Sequence, residues 1–397
     1  MSAFANRFAG NAAKIIIVAL LSIPAVLALW QPAQGVGENR YLAAFPAKPH
    51  DWETVVRFPA RLDLWINDHF GFRDVLVQLN NRLRYTLFKQ FPTLQVIEGQ
   101  GGRIFLATHS TAHAPYAAIT QACGYRYEHA DGIAKQVSAF DAGFRKLGVD
   151  ARLLVAPSSP VMYESELPVW LRQRCDPAMA PVPRVMMSPF LAPEARQRIY
   201  YPIAEAKQIG QTTPVIPKTW FHWSGTGPRL IAAASVRHFW DTNASSATDL
   251  KTSEQLKPSD ISHLFPGVEL ESKVEVADFK VSGIEQCAGP ACHHPALQSV
   301  MAKLGDISLY RNASAPDRRL VMLSDSFGQH IAGWYSPFYR EVVHLSTNNL
   351  AMLDDVEIKA IHAHFLQPAE SQHLLFLYHD GSLLSGRLEV DLKKLGV

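Results

Sequence analysis

The strongest constraint on the fold is a set of short apolar segments that alternate with amphipathic helical ones. Ala151-Arg152-Leu153-Leu154-Val155-Ala156 is apolar almost throughout and is stopped by Pro157. Arg319 to Ser324, Val342 to Leu345 and Leu374 to Tyr378 have the same character. A strand apolar on both faces belongs in a parallel sheet covered on both sides. The stretches between them carry helical spacing. Asp131 to Leu147 carries Ile133, Val137, Phe140, Phe144 and Leu147 at amphipathic spacing and ends at Gly148. Gly227-Pro228 opens a helix that runs to Phe239. This alternation predicts an α/β sandwich with a mostly parallel central sheet.

Further helices are expected over Thr54 to Phe70, with Val55, Phe58, Leu62 and Trp65 on one side, and over Arg73 to Phe88, with Leu76, Leu79, Leu83 and Leu87. Val96 to Gly99 and Arg103 to Leu106 read as a hairpin around a glycine-rich turn. Residues 176–193 read as loop, and Pro193 to Ile209 as a helix interrupted at Pro202. Residues 241–295 are polar with short β-like pieces and form a candidate inserted lobe.

The N-terminus sets the expected location. Arg7 and Lys14 precede an apolar run from Ile15 to Trp30, and no charge follows until Glu38. This is the pattern of a signal sequence or an anchor. Crowding of Trp30, Gln31 and Pro32 at the exit favours an uncleaved anchor over residues 1–37. The positive-inside rule leaves the two basic residues in the cytoplasm and exports the remainder. The expectation is a periplasmic body at the inner membrane. The four cysteines, Cys123, Cys175, Cys287 and Cys292, suit an oxidising compartment. Cys287 and Cys292 flank a Gly-Pro turn, which favours a local disulfide over a metal or haem site. The formal charge is only +2 and no basic stripe is present, so nucleic-acid binding is disfavoured.

The chemistry-bearing candidate is Leu323-Ser324-Asp325-Ser326-Phe327-Gly328, between a buried strand and a helix expected from about Gln329. Ligands of open α/β sheets bind at the carboxyl ends of strands. Ser326 there is a candidate nucleophile, and the amides that follow can hold an oxyanion. Ser and Asp are also ordinary helix caps, so the pattern alone favours capping. A serine nucleophile needs a base. His222, in Trp220-Phe221-His222-Trp223, is the first candidate. His330 is the second, and its position on the helix favours a surface role.

These residues resemble the Gly-Asp-Ser block of the SGNH hydrolase superfamily, with Ser324 where glycine is usual. The wider order of motifs resembles the alginate O-acetyltransferase family of the AlgJ/AlgX type. The matching stretches are Glu38 to Pro46, Asn67 to Arg73, Val96 to Gly102, Leu153 to Val155, Tyr163 to Pro168, His222-Trp223 and the Ser326 block. The resemblance implies an SGNH-like three-layer domain over residues 38–397. It implies Ser326 as nucleophile, His222 as base, and Asp325 and Phe327 as support for the oxyanion. It also implies acetyl transfer to an alginate-like exopolysaccharide, a membrane-bound O-acyltransferase as acetyl donor, and no cofactor. The family's acid lies two residues before the histidine, where this chain has Trp220. Ser159 and Arg103 also replace residues usual in the family. The acid partner of His222 is therefore left open. Trp220 and Trp223 become candidates for a sugar-stacking platform, and the alternatives are a non-catalytic polysaccharide-binding scaffold or an acetyl esterase.

Overall fold

The computed structural model describes residues 42–69, 73–110, 112–125, 127–176 and 179–397, with Lys14, Val18 and Ser22. The expected anchor over residues 1–37 lies outside the described residues apart from those three. Among the described residues, no helix is long and apolar enough to cross a membrane.

The chain divides into two compact units. One comprises residues up to Thr93 together with Ile261–Leu270. It holds helices α1 (Trp52–His69) and α2 (Arg73–Phe88). The leucines at helical spacing on α2, Leu76, Leu79, Leu83 and Leu87, are all exposed. Asn81 is the buried residue of that helix, and its side-chain amide donates to the Pro266 carbonyl at 2.9 Å. Helical spacing thus located the helix, and the leucine stripe is not its buried face.

The other unit spans Leu94–Asp260 and Glu271–Val397. Its short hairpin pairs β1 (Val96–Glu98) with β2 (Ile104–Leu106). The central sheet has seven strands in the order β4, β3, β11, β9, β10, β8, β7. These are β3 (Ala151–Ala156), β4 (Ile199–Tyr200), β7 (Glu285–Ala288), β8 (Ile307–Arg311), β9 (Arg319–Ser324), β10 (Glu341–Ser346) and β11 (Gln372–His379). The first five strands in that order run parallel, and β8 and β7 complete the edge antiparallel. The remaining pair, β5 (Thr252–Pro258) and β6 (Glu271–Ala277), is a separate antiparallel ribbon.

Alternate residues of the central strands feed two distinct cores. Leu153, Val155, Val321, Leu323, Leu374 and Phe376 enter one. Leu154, Ala156, Leu320, Met322, Leu375 and Leu377 enter the other. Such two-sided burial is what a covered parallel sheet requires. Helix α3 (Ala130–Lys146) covers the first face. Helices α4 (Ile203–Gly210) and α5 (Thr226–Phe239) cover the second. Helix α6 (Ser326–Gln329) joins them through Phe327. Helices α7 (Asp355–Phe365) and α8 (Arg387–Leu395) return to the first face. The fold is mixed α/β with a mainly parallel central sheet, as the apolar segments predicted.

Three local expectations are corrected. The Pro- and Met-rich stretch contains a helical turn, Pro181–Met187, because proline is tolerated in a helix's first turn. The expected helix over Pro193 to Ile209 is split by β4, since Ile199 and Tyr200 pair with Leu153 and Leu154. The helix after β9 begins at Ser326 itself, because the Asp325 side chain caps the Phe327 amide at 2.9 Å. The polar segment 241–295 is heterogeneous, supplying the β5–β6 ribbon and the edge strand β7. The disulfides are Cys123–Cys175 and the expected local pair Cys287–Cys292.

Two devices seat α6 on the sheet. The first is steric. A Cβ added at Gly328 would lie 1.8 Å from Ser324 Oγ and 3.0 Å from His344 Nε2. The Ser324 hydroxyl itself lies 2.8 Å from that same imidazole nitrogen. Burial holds the His344 imidazole down to about 4, against the opposing charge of Asp325. The second is electrostatic. Asp325 Oδ2 accepts from the His379 amide at 2.8 Å and from His379 Nδ1 at 2.9 Å, which joins the end of β11 to the start of α6. Burial disfavours both charges, but the pairing outweighs it. It holds Asp325 below the usual carboxylate range and His379 above the usual imidazole range.

Gly328→Ala is expected to destabilise the fold by about 1–3 kcal/mol, the usual scale for overpacking. Adding Ser324→Gly removes the closest clash, so the double variant recovers part of the thermal midpoint lost by the single one. The Asp325–His379 pair has a signed pH dependence. A lowered carboxylate stabilises above its unfolded value of ~3.8, and a raised imidazole stabilises below its unfolded value of ~6.5. The stability gap between wild type and His379→Gln is therefore expected to be widest between those values. It narrows as pH rises through the folded value of His379, and denaturant midpoints across pH measure it.

Candidate active site

Ser326 occupies the first position of α6, just past the carboxyl end of β9. Its hydroxyl projects from the end of a central strand, where an open sheet leaves room for a ligand. The Phe327 amide is committed to Asp325 Oδ1 at 2.9 Å, and the Gly328 amide to the Asp325 carbonyl at 3.2 Å. The expected oxyanion role of the Phe327 amide is thereby corrected. Its contribution is the ring, which packs 4.9 Å from His222 and stacks parallel to His379 at 4.9 Å.

His222 lies on the loop between α4 and α5, and that loop is pinned from several directions. The Ile104 amide donates to the Lys218 carbonyl at 2.7 Å. Thr219 pairs with Ser272 Oγ through both its amide and its hydroxyl. Ser259 Oγ donates to the Thr219 carbonyl at 2.5 Å. The Trp223 indole N–H donates to the Phe327 carbonyl at 2.8 Å, tying the loop to α6 across 104 residues of sequence. Gly225 (φ 74°) follows in a backbone conformation that favours glycine, and a Cβ there would press on Glu275.

These anchors bring His222 Nε2 to 2.8 Å from Ser326 Oγ. The other ring nitrogen, Nδ1, lies 2.7 Å from Asp260 Oδ2. Asp260 follows β5, and its carboxylate also accepts from the amides of Phe221 (2.8 Å) and His222 (2.9 Å). Burial pushes the Asp260 carboxyl up, but the hydrogen bonds and charge of His222 and the two amides outweigh it and hold it below the usual range. An ionised acid on Nδ1 places the proton there and leaves Nε2 as the acceptor for the serine hydroxyl. The side chains of His222 and Asp260 are 15% and 11% exposed, so solvent screens the pair weakly.

The acid comes from the polar segment to which the sequence reading gave no function. Its one local signal is Ser259-Asp260 directly after a strand, and nothing in the intervening residues marks its distance from His222. Trp220, at the position where the resemblance expects the acid, is half-buried and lies edge-on to His330 at 6.0 Å. Trp223 is fully buried, so the expectation that it contributes to a sugar platform is corrected. The surface role expected for His330 is corrected as well, since its ring stacks on His222 with centroids 4.7 Å apart. Ser159 is buried beside Ser158, whose hydroxyl and amide each lie 3.0 Å from Asp380 Oδ2. Arg103 is buried over the ring of Tyr163 and paired with Glu166.

Serine hydroxyl, imidazole and carboxylate thus form one continuous hydrogen-bonded line. That arrangement can ionise a hydroxyl in the act of attacking a carbonyl carbon. Among the described residues, no group of three or more His, Cys, Asp or Glu side chains is placed to hold a metal ion.

No protein-family model matches the chain, and no curated protein does. Solved structures similar to it include a DHHW family protein from Eubacterium siraeum (12% identity, 66% of this chain and 88% of that one, TM-score 0.45). PatB1 of Bacillus cereus is similar at 13% identity, 66% of this chain and 92% of that one, TM-score 0.45. The O-acetyltransferase domain of Pseudomonas putida AlgJ is similar at 14% identity, 73% of this chain and 92% of that one, TM-score 0.41.

Proposed function

We propose that this chain is an SGNH-type serine O-acetyltransferase acting outside the cytoplasm on polysaccharide hydroxyls. The observation that carries the reading is the line Ser326 Oγ, His222 Nε2, His222 Nδ1, Asp260 Oδ2, with contacts of 2.8 and 2.7 Å. Both contacts fall within the ~2.6–3.2 Å reach of a working proton relay.

The reaction proceeds by double displacement. Ser326 Oγ attacks the acetyl carbonyl carbon while its proton passes to His222 Nε2. The bond between the acetyl carbon and the donor breaks, and the departing group takes that proton. A sugar hydroxyl then gives its proton to His222 and attacks the acetyl-serine carbonyl. The Ser326 oxygen leaves and recovers the proton. Asp260 keeps Nδ1 protonated and balances the transient imidazolium. It is not itself protonated. The Ser326 amide, which has no acceptor among the described residues, is available to the developing oxyanion.

The scaffold alternative rested on the missing acid at Trp220, and Asp260 supplies a carboxylate in its place. Two disulfides support an oxidising compartment. On this reading the N-terminal apolar segment holds the protein at the inner membrane. An integral membrane O-acyltransferase delivers the acetyl group, and an alginate-like polymer receives it. Transfer is what the resemblance implies, hydrolysis to acetate is the alternative, and acceptor acetylation distinguishes the two.

A chromogenic acetyl ester assayed with the full chain tests the relay. Ser326→Ala is expected to abolish turnover. Asp260→Asn is expected to lower kcat by about 10²–10⁴, because loss of the correct tautomer costs up to ~10⁴ in serine triads. Full activity in either variant overturns the reading. Added oligosaccharide that becomes acetylated supports a transferase, and acetate released regardless of acceptor supports the esterase.

A further inference from the structure

Two hydrogen bonds at opposite nitrogens do not fully fix an imidazole. The ring can still swing about the axis that joins Nδ1 to Nε2, and such a swing turns the Nδ1–H and the Nε2 lone pair out of line. The Cβ tether resists it in part, and contacts on the ring faces resist it further. Phe327 packs 4.9 Å from His222, its plane inclined by 58°, and Phe221 lies 4.8 Å away at 74°. His330 stacks nearly parallel, with centroids 4.7 Å apart and planes 17° apart. Trp220 braces His330 edge-on at 6.0 Å and 75°.

We propose that His330 is a positioning residue for His222, its ring holding the base in the plane shared with Ser326 and Asp260, and that Trp220 supports it from behind. The inference rests on the reading of Ser326, His222 and Asp260 as a catalytic relay. Ser326 and His330 flank a single helical turn, so the nucleophile and the stacking ring move together. The position where an acid is expected by resemblance is thus filled by a residue that steadies the base indirectly.

The ring does this work as a neutral group. Burial holds the His330 imidazole down to about 3, the charge of His222 adds to the effect, Asp260 opposes it and His344 of β10 adds to it again. His330 therefore does not compete with His222 for the serine proton at working pH.

The test compares His330→Ala, which removes the face, with His330→Phe, which keeps a flat ring and removes both nitrogens. Two readouts on the full chain are used. One is turnover of a chromogenic acetyl ester across pH. The other is inactivation by an aryl sulfonyl fluoride, in which the Ser326 oxygen–sulfur bond forms, fluoride leaves and the hydroxyl proton passes to His222. His330→Ala is expected to lower kcat and the inactivation rate about tenfold with KM within about twofold, while His330→Phe keeps most of both and an unchanged pH profile. Wild-type kcat in His330→Ala overturns the proposal. So does an equal loss in the two variants, or a loss confined to KM. If His330→Ala does not fold, the phenylalanine variant decides by itself, since a tenfold fall in its kcat overturns the stacking role. Ser326→Ala separates the two levels. Residual serine-type reactivity there overturns the relay, whereas a dead Ser326→Ala beside a fully active His330→Ala overturns only the positioning role.

Discussion

The site depends on one imidazole at which three remote parts of the chain meet. Ser326 comes from the turn after β9, Asp260 from the end of the β5 ribbon, and His222 from a loop that precedes α5. None of these pairs is close in sequence, so the relay exists only if the sheet and its flanking layers are fully assembled. The buried indole of Trp223, hydrogen-bonded to the backbone of α6, is the most direct mechanical link between the loop and the nucleophile. It converts core packing into the short distance between His222 and Ser326.

A second acid–histidine pair, Asp325–His379, lies behind the first and performs a different task. It is fully buried, and it joins the central strand β11 to the cap of the serine-bearing helix. The parallel stack of His379 on Phe327, and the contact of Phe327 with His222, connect the structural pair to the catalytic one through a single aromatic ring. On the proposed reading, one residue type serves stability where it is sealed and chemistry where it is partly open.

Much of this was legible in the sequence for definite reasons. Runs such as Ala151–Ala156 and Arg319–Ser324 are apolar at nearly every inward position of both faces, with Ser324 the buried exception, so they specify a covered sheet without reference to any neighbour. The Ser326 turn and His222 carried enough local pattern to be named. Asp260 did not, because an acid that acts through a long-range contact leaves no periodic trace. The strands β4 and β7 were missed since each is short and is defined by its partner more than by its own residues. The exposed leucines of α2 mislead in the opposite sense, because spacing reveals a helical face without revealing which way that face is turned. Trp223 failed as a platform since a tryptophan is more often packing than ligand.

The central claim is that Ser326 carries the acyl group. Intact-protein mass spectrometry of the full chain, quenched in acid during turnover of an acetyl ester and followed by peptide mapping, addresses it directly. The account predicts one acetyl group on the peptide containing Ser326, discharged when a sugar acceptor is added. An acetyl group found elsewhere, or turnover with no acylated protein at any quench time, would contradict it.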